Sequence, residues 1–358
     1  MIKKICFICG DLSKCGGTER VSSLIANGLA NVFGFKISIL STQLSGHPYF
    51  DIDDKIEVHS LQPKPTGLIS TIKLIRAHVK LNQYDVVINV DSGLVLSSVP
   101  ALFGLKVRNI CWEHFTFNVN VGTYTRDIAR QLAAIFCDDV VTLTNRDADV
   151  WKSKTLNLAN IMAISNPVPP AIEEREKINN KQLLSVGRLS PQKGFDLLLH
   201  AWAMVLNHRT DWKLTIVGEG EEKEHLLNII GKYNLHKSVT IKPFTNDIAS
   251  CYNSSALYVM SSRYEGFGMV LLEASAHSLP IVSFDCEMGP REIVTTEVGW
   301  LCEPENIEAL AHTLLTAFEQ FDDVVAYQKY SKSAYKNSKR FNLDAIVSDW
   351  VKLLNKER

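Results

Sequence analysis

The sequence lacks a charge imbalance, a long apolar run and any low-complexity stretch, and each absence removes a class of function. Its 358 residues carry a formal net charge of −1, so no global field gathers nucleic acid and any basic surface must be local. No segment approaches the roughly 20 apolar residues that span a bilayer. The start, MIKKICFICGD, offers an apolar run too short for the core of a secretion signal. A cytoplasmic protein is therefore expected. No short-period repeat is present. A dinucleotide fingerprint is missing as well: after the first strand-like run the glycines fall at Gly10, Gly16 and Gly17, which do not make G-x-G-x-x-G and argue against a dehydrogenase.

What is there describes an ordinary globular chain, 46% apolar and 22% charged. The length exceeds one ordinary core, so two domains of roughly 150–180 residues are expected. Eight cysteines are scattered through strands and loops. Cys6 and Cys9 have C-x-x-C spacing, but on a strand that offset sends them to opposite faces, so buried small residues are expected rather than a metal or redox pair.

Strand-like runs alternate with helical patterns, the signature of a parallel sheet with crossover helices. The spacing predicts strands at Lys4–Cys9, Lys36–Leu40, Ile56–Leu61, Val86–Val90, Asn109–Trp112, Val140–Thr144 and Asn160–Ile164. Asn166-Pro167-Val168-Pro169-Pro170 and the polar Glu173–Lys181 then break the pattern and read as a linker. Strands resume at Gln182–Val186, Lys213–Val217, Val239–Ile241, Leu257–Met260, Ile281–Phe284 and Gly299–Cys302. The expected class is α/β, with two Rossmann-like, doubly wound domains facing across a cleft: 1–166, a linker at 167–181, 182–338, and a last helix within 339–358 that crosses back to the first domain.

Ligands of open α/β sheets sit in strand-to-helix turns, and four such turns stand out. In "GDLSKCGGTERV", Gly16 and Gly17 allow close backbone approach, and Thr18 is placed to cap the next helix. In "SVGRLSPQKGFDLLL", Arg188 and Lys193 put two cations at a helix start, where free amides add to the attraction for an anion. In "IVGEGEEKE", glycines flank Glu219, which a plain turn also explains. In "SSRYEGFGMVLLEASAHSLPIVSF", Glu265 and Glu273 bracket seven residues that begin Gly266-Phe267-Gly268. The amides of this turn suit a phosphate, which both carboxylates would repel. Carboxylates accept well from sugar hydroxyls, however, and a nucleotide-sugar has that layout: ribose, diphosphate, hexose.

These stretches, with "WEHF" and "SNPV", resemble in order and spacing the retaining GT-B glycosyltransferases of family 4, of the kind that assemble bacterial O-antigen, capsule or lipid-linked glycans. The resemblance implies that Arg188 and Lys193 bind the donor diphosphate, that Glu273 holds the ribose and that Glu265 holds the transferred sugar, with backbone donors at Gly266, Phe267 and Gly268. It places Gly16 and Gly17 against the diphosphate and His114 by the reacting centre, and lines the base pocket with Glu219, Phe244 and Asn246. It implies a UDP-sugar donor, a polyprenyl-diphosphate-linked glycan acceptor and retention through front-face transfer assisted by the leaving phosphate. The Asp-rich metal motif of the other common glycosyltransferase fold is absent, so no metal or other cofactor is expected.

The segment "GLISTIKLIRAHVKL" sets Leu68, Ile72, Ile75 and Val79 on one helical face and Lys73, Arg76 and Lys80 on another. That suits either a crossover helix or peripheral contact with an anionic inner membrane leaflet. Two other functions remain open at this level: a sugar-nucleotide 2-epimerase of the same fold, and a nucleotide-sugar-binding subunit without activity of its own.

Overall fold

The computed structural model describes residues 2–43, 45–119, 125–168 and 180–356. It divides into two compact units: Met1–Pro167 with Leu343–Arg358, and Val168–Asn342. Most of the expected linker, 169–179, lies outside the described residues.

Unit 1 is built on strands β1 (Lys3–Cys9), β2 (Phe35–Ser41), β3 (Glu57–Ser60), β4 (Val86–Val90), β5 (Arg108–Trp112), β6 (Asp139–Thr142) and β7 (Asn160–Ala163). All neighbours pair in parallel, in the order β3-β2-β1-β4-β5-β6-β7. The first five helices, α1 (Gly17–Ala30), α2 (Leu68–Asn82), α3 (Val95–Leu102), α4 (Thr125–Phe136) and α5 (Asn145–Lys154), are its crossovers. Central strands are covered on both faces, so β1 buries Ile5, Cys6, Phe7, Ile8 and Cys9 in succession. Cys6 and Cys9 are buried free thiols, and burial pushes the Cys6 thiol up to about 12.

Unit 2 repeats the plan with β8 (Gln182–Val186), β9 (Lys213–Val217), β10 (Val239–Lys242), β11 (Leu257–Met260), β12 (Ile281–Phe284) and β13 (Gly299–Cys302), ordered β10-β9-β8-β11-β12-β13. Its helices are α6 (Phe195–Val205), α7 (Lys223–Lys232), α8 (Ile248–Asn253), α9 (Met269–Ala276), α10 (Pro290–Ile293), α11 (Ile307–Asp322) and α12 (Val324–Ser338). Trp202, Trp212 and Phe318 are fully buried in its core, with Trp212 and Phe318 stacked at 3.8 Å. Strand order reverses between β1 and β4 in one unit and between β8 and β11 in the other. Each sheet therefore has a topological switch point, where open α/β sheets hold ligands.

Several expectations are corrected. Thr18 does not cap α1: Gly16 is the cap residue and no side chain closes it. The predicted strand through Thr144 stops at Thr142, because the Thr144 hydroxyl instead accepts the Asp147 amide and caps α5. On α2, Ile75 and Val79 are buried while Leu68 is exposed. Arg76 leaves the basic face and donates to the carbonyls of Ala101 and Phe103 at 2.7 and 2.8 Å. The last helix does fall within 339–358: α13 (Leu343–Asn355), joined by a turn to α12, packs in unit 1 as expected. Among the described residues no helix is long and apolar enough to cross a membrane.

Helix α13 buries Trp350 edge-on against Trp112 at 4.9 Å. Its last carbonyls are satisfied by cations: Arg108 donates to Leu353 and Lys356, and Lys3 to Leu354. Trp350→Ala is expected to cost unit 1 about 3–5 kcal/mol, read as a lower urea midpoint with an unchanged slope. A loss near zero would show that α13 is not part of that core.

Candidate functional site

The loops after β8 and β11 flank the switch point of unit 2, and glycine sets their spacing. The β8 loop ends at Gly194, whose φ is +61° and whose Cβ position would lie 2.1 Å from the Ser261 carbonyl oxygen. Only glycine permits that rest of backbone on backbone. Hydrogen bonds then close the seam: Ser261 Oγ to the Lys193 carbonyl at 3.0 Å, the Arg263 amide to the Gln192 carbonyl at 2.8 Å, and Gln192 Nε2 to the Tyr264 carbonyl at 3.0 Å. Arg263 grips Asp196 with both ends of its guanidinium, at 3.0 and 2.7 Å.

Inside the seam Lys193 Nζ meets Glu265 Oε1 at 2.6 Å, and the Ser262 hydroxyl donates to the same oxygen at 2.7 Å. The two side chains are 19% and 8% exposed, so removing either partner strands a desolvated charge. Arg188 differs: it is 73% exposed and meets Glu221 at 3.1 Å, a surface pair that holds it weakly. The structure thus places Arg188 and Lys193 on one loop but gives each its own glutamate.

The remaining residues of this half line the same strand ends. Gly218 and Gly220 sit where a Cβ would lie 1.9 Å from the Gly187 carbonyl and 2.2 Å from that of Leu189, which seats the β9 turn on the β8 loop and leaves the Glu219 side chain exposed. Phe244 and Asn246, after β10, are exposed too. Gly268 starts α9 at φ +86° with no side chain capping it; the Leu271 amide donates to the Gly268 carbonyl at 2.8 Å, so the Met269 and Val270 amides of that first turn are the ones left to a ligand. Phe267 is buried beneath, and a Cβ on Gly289 would lie 2.3 Å from its carbonyl oxygen. Glu273 is half-buried and accepts the Tyr252 hydroxyl at 2.9 Å. Tyr252 in turn stacks on His277 at 5.0 Å. The bracketing glutamates therefore keep separate partners.

In unit 1 the β1 loop presents Gly17, where a Cβ would meet nothing within 4 Å, and Gly16, where it would meet only the Glu19 side chain. Openness, not crowding, marks that turn. His114 follows β5, buried beside the Trp112 ring at 4.4 Å, and its Nε2 has no partner among the described residues. Glu113 holds the turn: its Oε1 accepts the amides of His114 and Phe115, both at 3.0 Å. Arg130 stands 3.5 Å from the other oxygen, and Arg126 links the cluster to Asp91 at 2.8 Å. Burial pushes the Glu113 carboxyl up. Among the described residues no three His, Cys, Asp or Glu side chains converge on a metal-ligating arrangement.

Residues 15–172 match the family described as Glycosyltransferase Family 4, and residues 170–337 the one described as Glycosyl transferases group 1. An uncharacterized glycosyltransferase of Haemophilus influenzae is 36% identical over 99% of this chain and 100% of its own length. The chain belongs to the GT-B glycosyltransferases. The amylovoran biosynthesis glycosyltransferase AmsD of Erwinia amylovora is 32% identical, covering 98% of this chain and 99% of that one. Anabaena HepE, crystallised with UDP and glucose, superposes with a TM-score of 0.79 at 20% identity, over 98% of this chain and 99% of that one.

In this glycosyltransferase, reading the sequence singled out His114 and passed over its neighbour Glu113, although a carboxylate inside an apolar "WEHF" run was itself a signal. Ser262 and Tyr252, partners of the two site glutamates, carried no signal, since each bond joins side chains whose closeness only folding produces. Burial lowers the His114 imidazole to about 4, against a weaker opposing pull from Asp91. It should therefore be neutral at pH 7. As pH falls from 6.5 towards 4 the unfolded chain binds a proton that the folded site refuses, so this group's contribution to stability is lost across that window. An NMR titration of the His114 ring protons is expected to show a midpoint near pH 4; a midpoint near 6.5 would refute its burial.

Proposed function

We propose that this glycosyltransferase is a retaining hexosyltransferase that moves a hexose or N-acetylhexosamine from a UDP-sugar to a hydroxyl of a growing bacterial surface glycan carried on polyprenyl diphosphate. The observation that carries the reading is the Lys193–Glu265 pair at the β8/β11 switch point, with the exposed Arg188 and the uncapped start of α9 beside it. This gives cations and free amides for a diphosphate next to carboxylates for sugar hydroxyls. UDP and glucose in HepE, and amylovoran synthesis by AmsD, support the donor and the product class.

In this mechanism Arg188 and Lys193 counter the charge that gathers on the departing diphosphate, and the Gly266, Phe267 and Gly268 amides assist. Glu273 holds the ribose, and Glu219, Phe244 and Asn246 line the base. Glu265 binds the hydroxyls of the transferred sugar. It is a poor nucleophile, because one oxygen already serves Lys193 and Ser262. The bond from the anomeric carbon to the phosphate oxygen breaks as the bond to the acceptor oxygen forms on the same face. The acceptor proton passes to the leaving phosphate. In unit 1, His114 is neutral and able to donate or accept one hydrogen bond, and the Gly16–Gly17 turn is open to close approach by a phosphate. No metal takes part. Lys73 and Lys80, exposed on α2, supply peripheral contact with anionic lipid.

Incubation with UDP-sugars and an undecaprenyl-diphosphate-linked glycan acceptor, followed by NMR, is expected to give product with the donor's anomeric configuration; an inverted product rejects the mechanism. Arg188→Ala and Lys193→Ala are expected to lower kcat by roughly 10²–10³-fold while circular dichroism shows intact folding, and near-normal turnover in either removes its role. EDTA should leave the rate unchanged. Loss that Mg²⁺ restores would contradict the metal-free reading.

A further inference from the structure

Unit 2 holds a concavity of about 430 Å³ whose lining includes none of the residues of the proposed donor site. It lies at β13, the edge strand of the sheet, against α11 and α12. Trp300 and Tyr330 meet in it at 4.4 Å between ring centroids, with 40° between the planes. The hydroxyl-bearing side chains of Thr295, Thr296, Thr313 and Thr316 surround them, and no lining side chain carries a formal charge. The volume falls within the range of about 300–1,000 Å³ usual for small-ligand sites, as does an aromatic surface with a few polar groups.

Its place separates it from the donor loops. Those loops follow the ends of β8, β9 and β11, whereas the concavity is bounded by Gly299 and by Val294, Thr295 and Thr296, which precede β13. Because the strands are parallel, the two sites lie towards opposite ends of the sheet.

The lining selects the ligand. An anion would find no counter-charge there. A purely apolar ligand would strip water from the exposed Thr295 and Thr296 hydroxyls without replacing it. Among the described residues neither the Trp300 indole N–H nor the Tyr330 hydroxyl has a protein partner. Thr313 and Thr316 donate to the carbonyls of Ala309 and His312 at 2.7 and 3.2 Å; the Thr313 hydroxyl also meets the Cys302 thiol, and the Thr316 oxygen keeps capacity to accept. A pyranose matches this set: its C–H face, with weakly positive hydrogens, suits the negative face of an aromatic ring, and its hydroxyl rim meets donors and acceptors.

We propose that the β13 concavity binds a neutral hexose segment of glycan, as a holding site apart from the transfer site. The choice of glycan over other polyhydroxyl ligands rests on the proposed function, and the binding itself does not require transfer. Saturation-transfer NMR of the full chain with cellohexaose and maltohexaose as probes is expected to show millimolar binding of at least one. Trp300→Ala should weaken it about tenfold. Thr316→Arg, which fills the concavity from α11 without removing a core residue, should do the same, and calorimetric UDP binding should be unchanged in both variants. No saturation transfer to either hexasaccharide overturns the inference, as does binding that persists in both variants. Hexasaccharide binding that is lost in both variants, in a protein that fails to bind UDP, supports this site while sinking the donor reading.

Discussion

A lysine ammonium 2.6 Å from a glutamate carboxylate, at the point where a parallel sheet reverses its strand order, is the contact on which the strand-end loops of unit 2 depend. Neither charge is comfortable there alone: each is largely removed from water, and desolvation is repaid only by a close partner with its remaining capacity satisfied. Ser262 supplies part of that satisfaction. The pair also needs the two loops to touch, and Gly194 is what lets the β8 loop rest on the Ser261 carbonyl. A side chain there would push Lys193 away from Glu265. Backbone contact and ion pair are one problem solved by one residue without a Cβ.

Unit 1 solves a comparable problem by burying its charges further. Glu113 is wholly enclosed, its carboxylate spent on two amides and faced by Arg130. The outcome is a rigid turn that sets the His114 ring against Trp112 and holds it in the dark of the fold, where a proton is unwelcome. The same Trp112 receives Trp350 from α13, so the residue behind the histidine also anchors the end of the chain. Local burial here decides protonation, and protonation decides whether the imidazole is a hydrogen-bonding group or a cation.

Much of the fold was legible. Leu257–Met260, and Val86–Val90 with its one buried polar residue Asn89, are strands from end to end because fully buried parallel strands need nearly continuous apolar stretches. Short helices were not: α8 and α10 have too few residues to show a period. Arg76 was misplaced because helical spacing gives the angle at which a residue leaves the axis but says nothing of two carbonyls at the end of α3. The candidate site residues could be named as positions, from glycines and charges at strand ends and from the family resemblance. Their bonding was not found, since Tyr252 with Glu273 and Ser262 with Glu265 carry no joint pattern in the chain.

The sequence by itself determined two α/β units, which turns follow which strands, and where glycine and cations fall in them, because alternation and backbone freedom are local properties. Tertiary structure alone decided that Lys193 answers Glu265 while Arg188 pairs with Glu221 at the surface, that burial favours a neutral His114, and that Trp300 and Tyr330 meet at the sheet's edge. Those outcomes depend on desolvation and on partners supplied by other strands and helices, and both come into being only when the sheet closes around them.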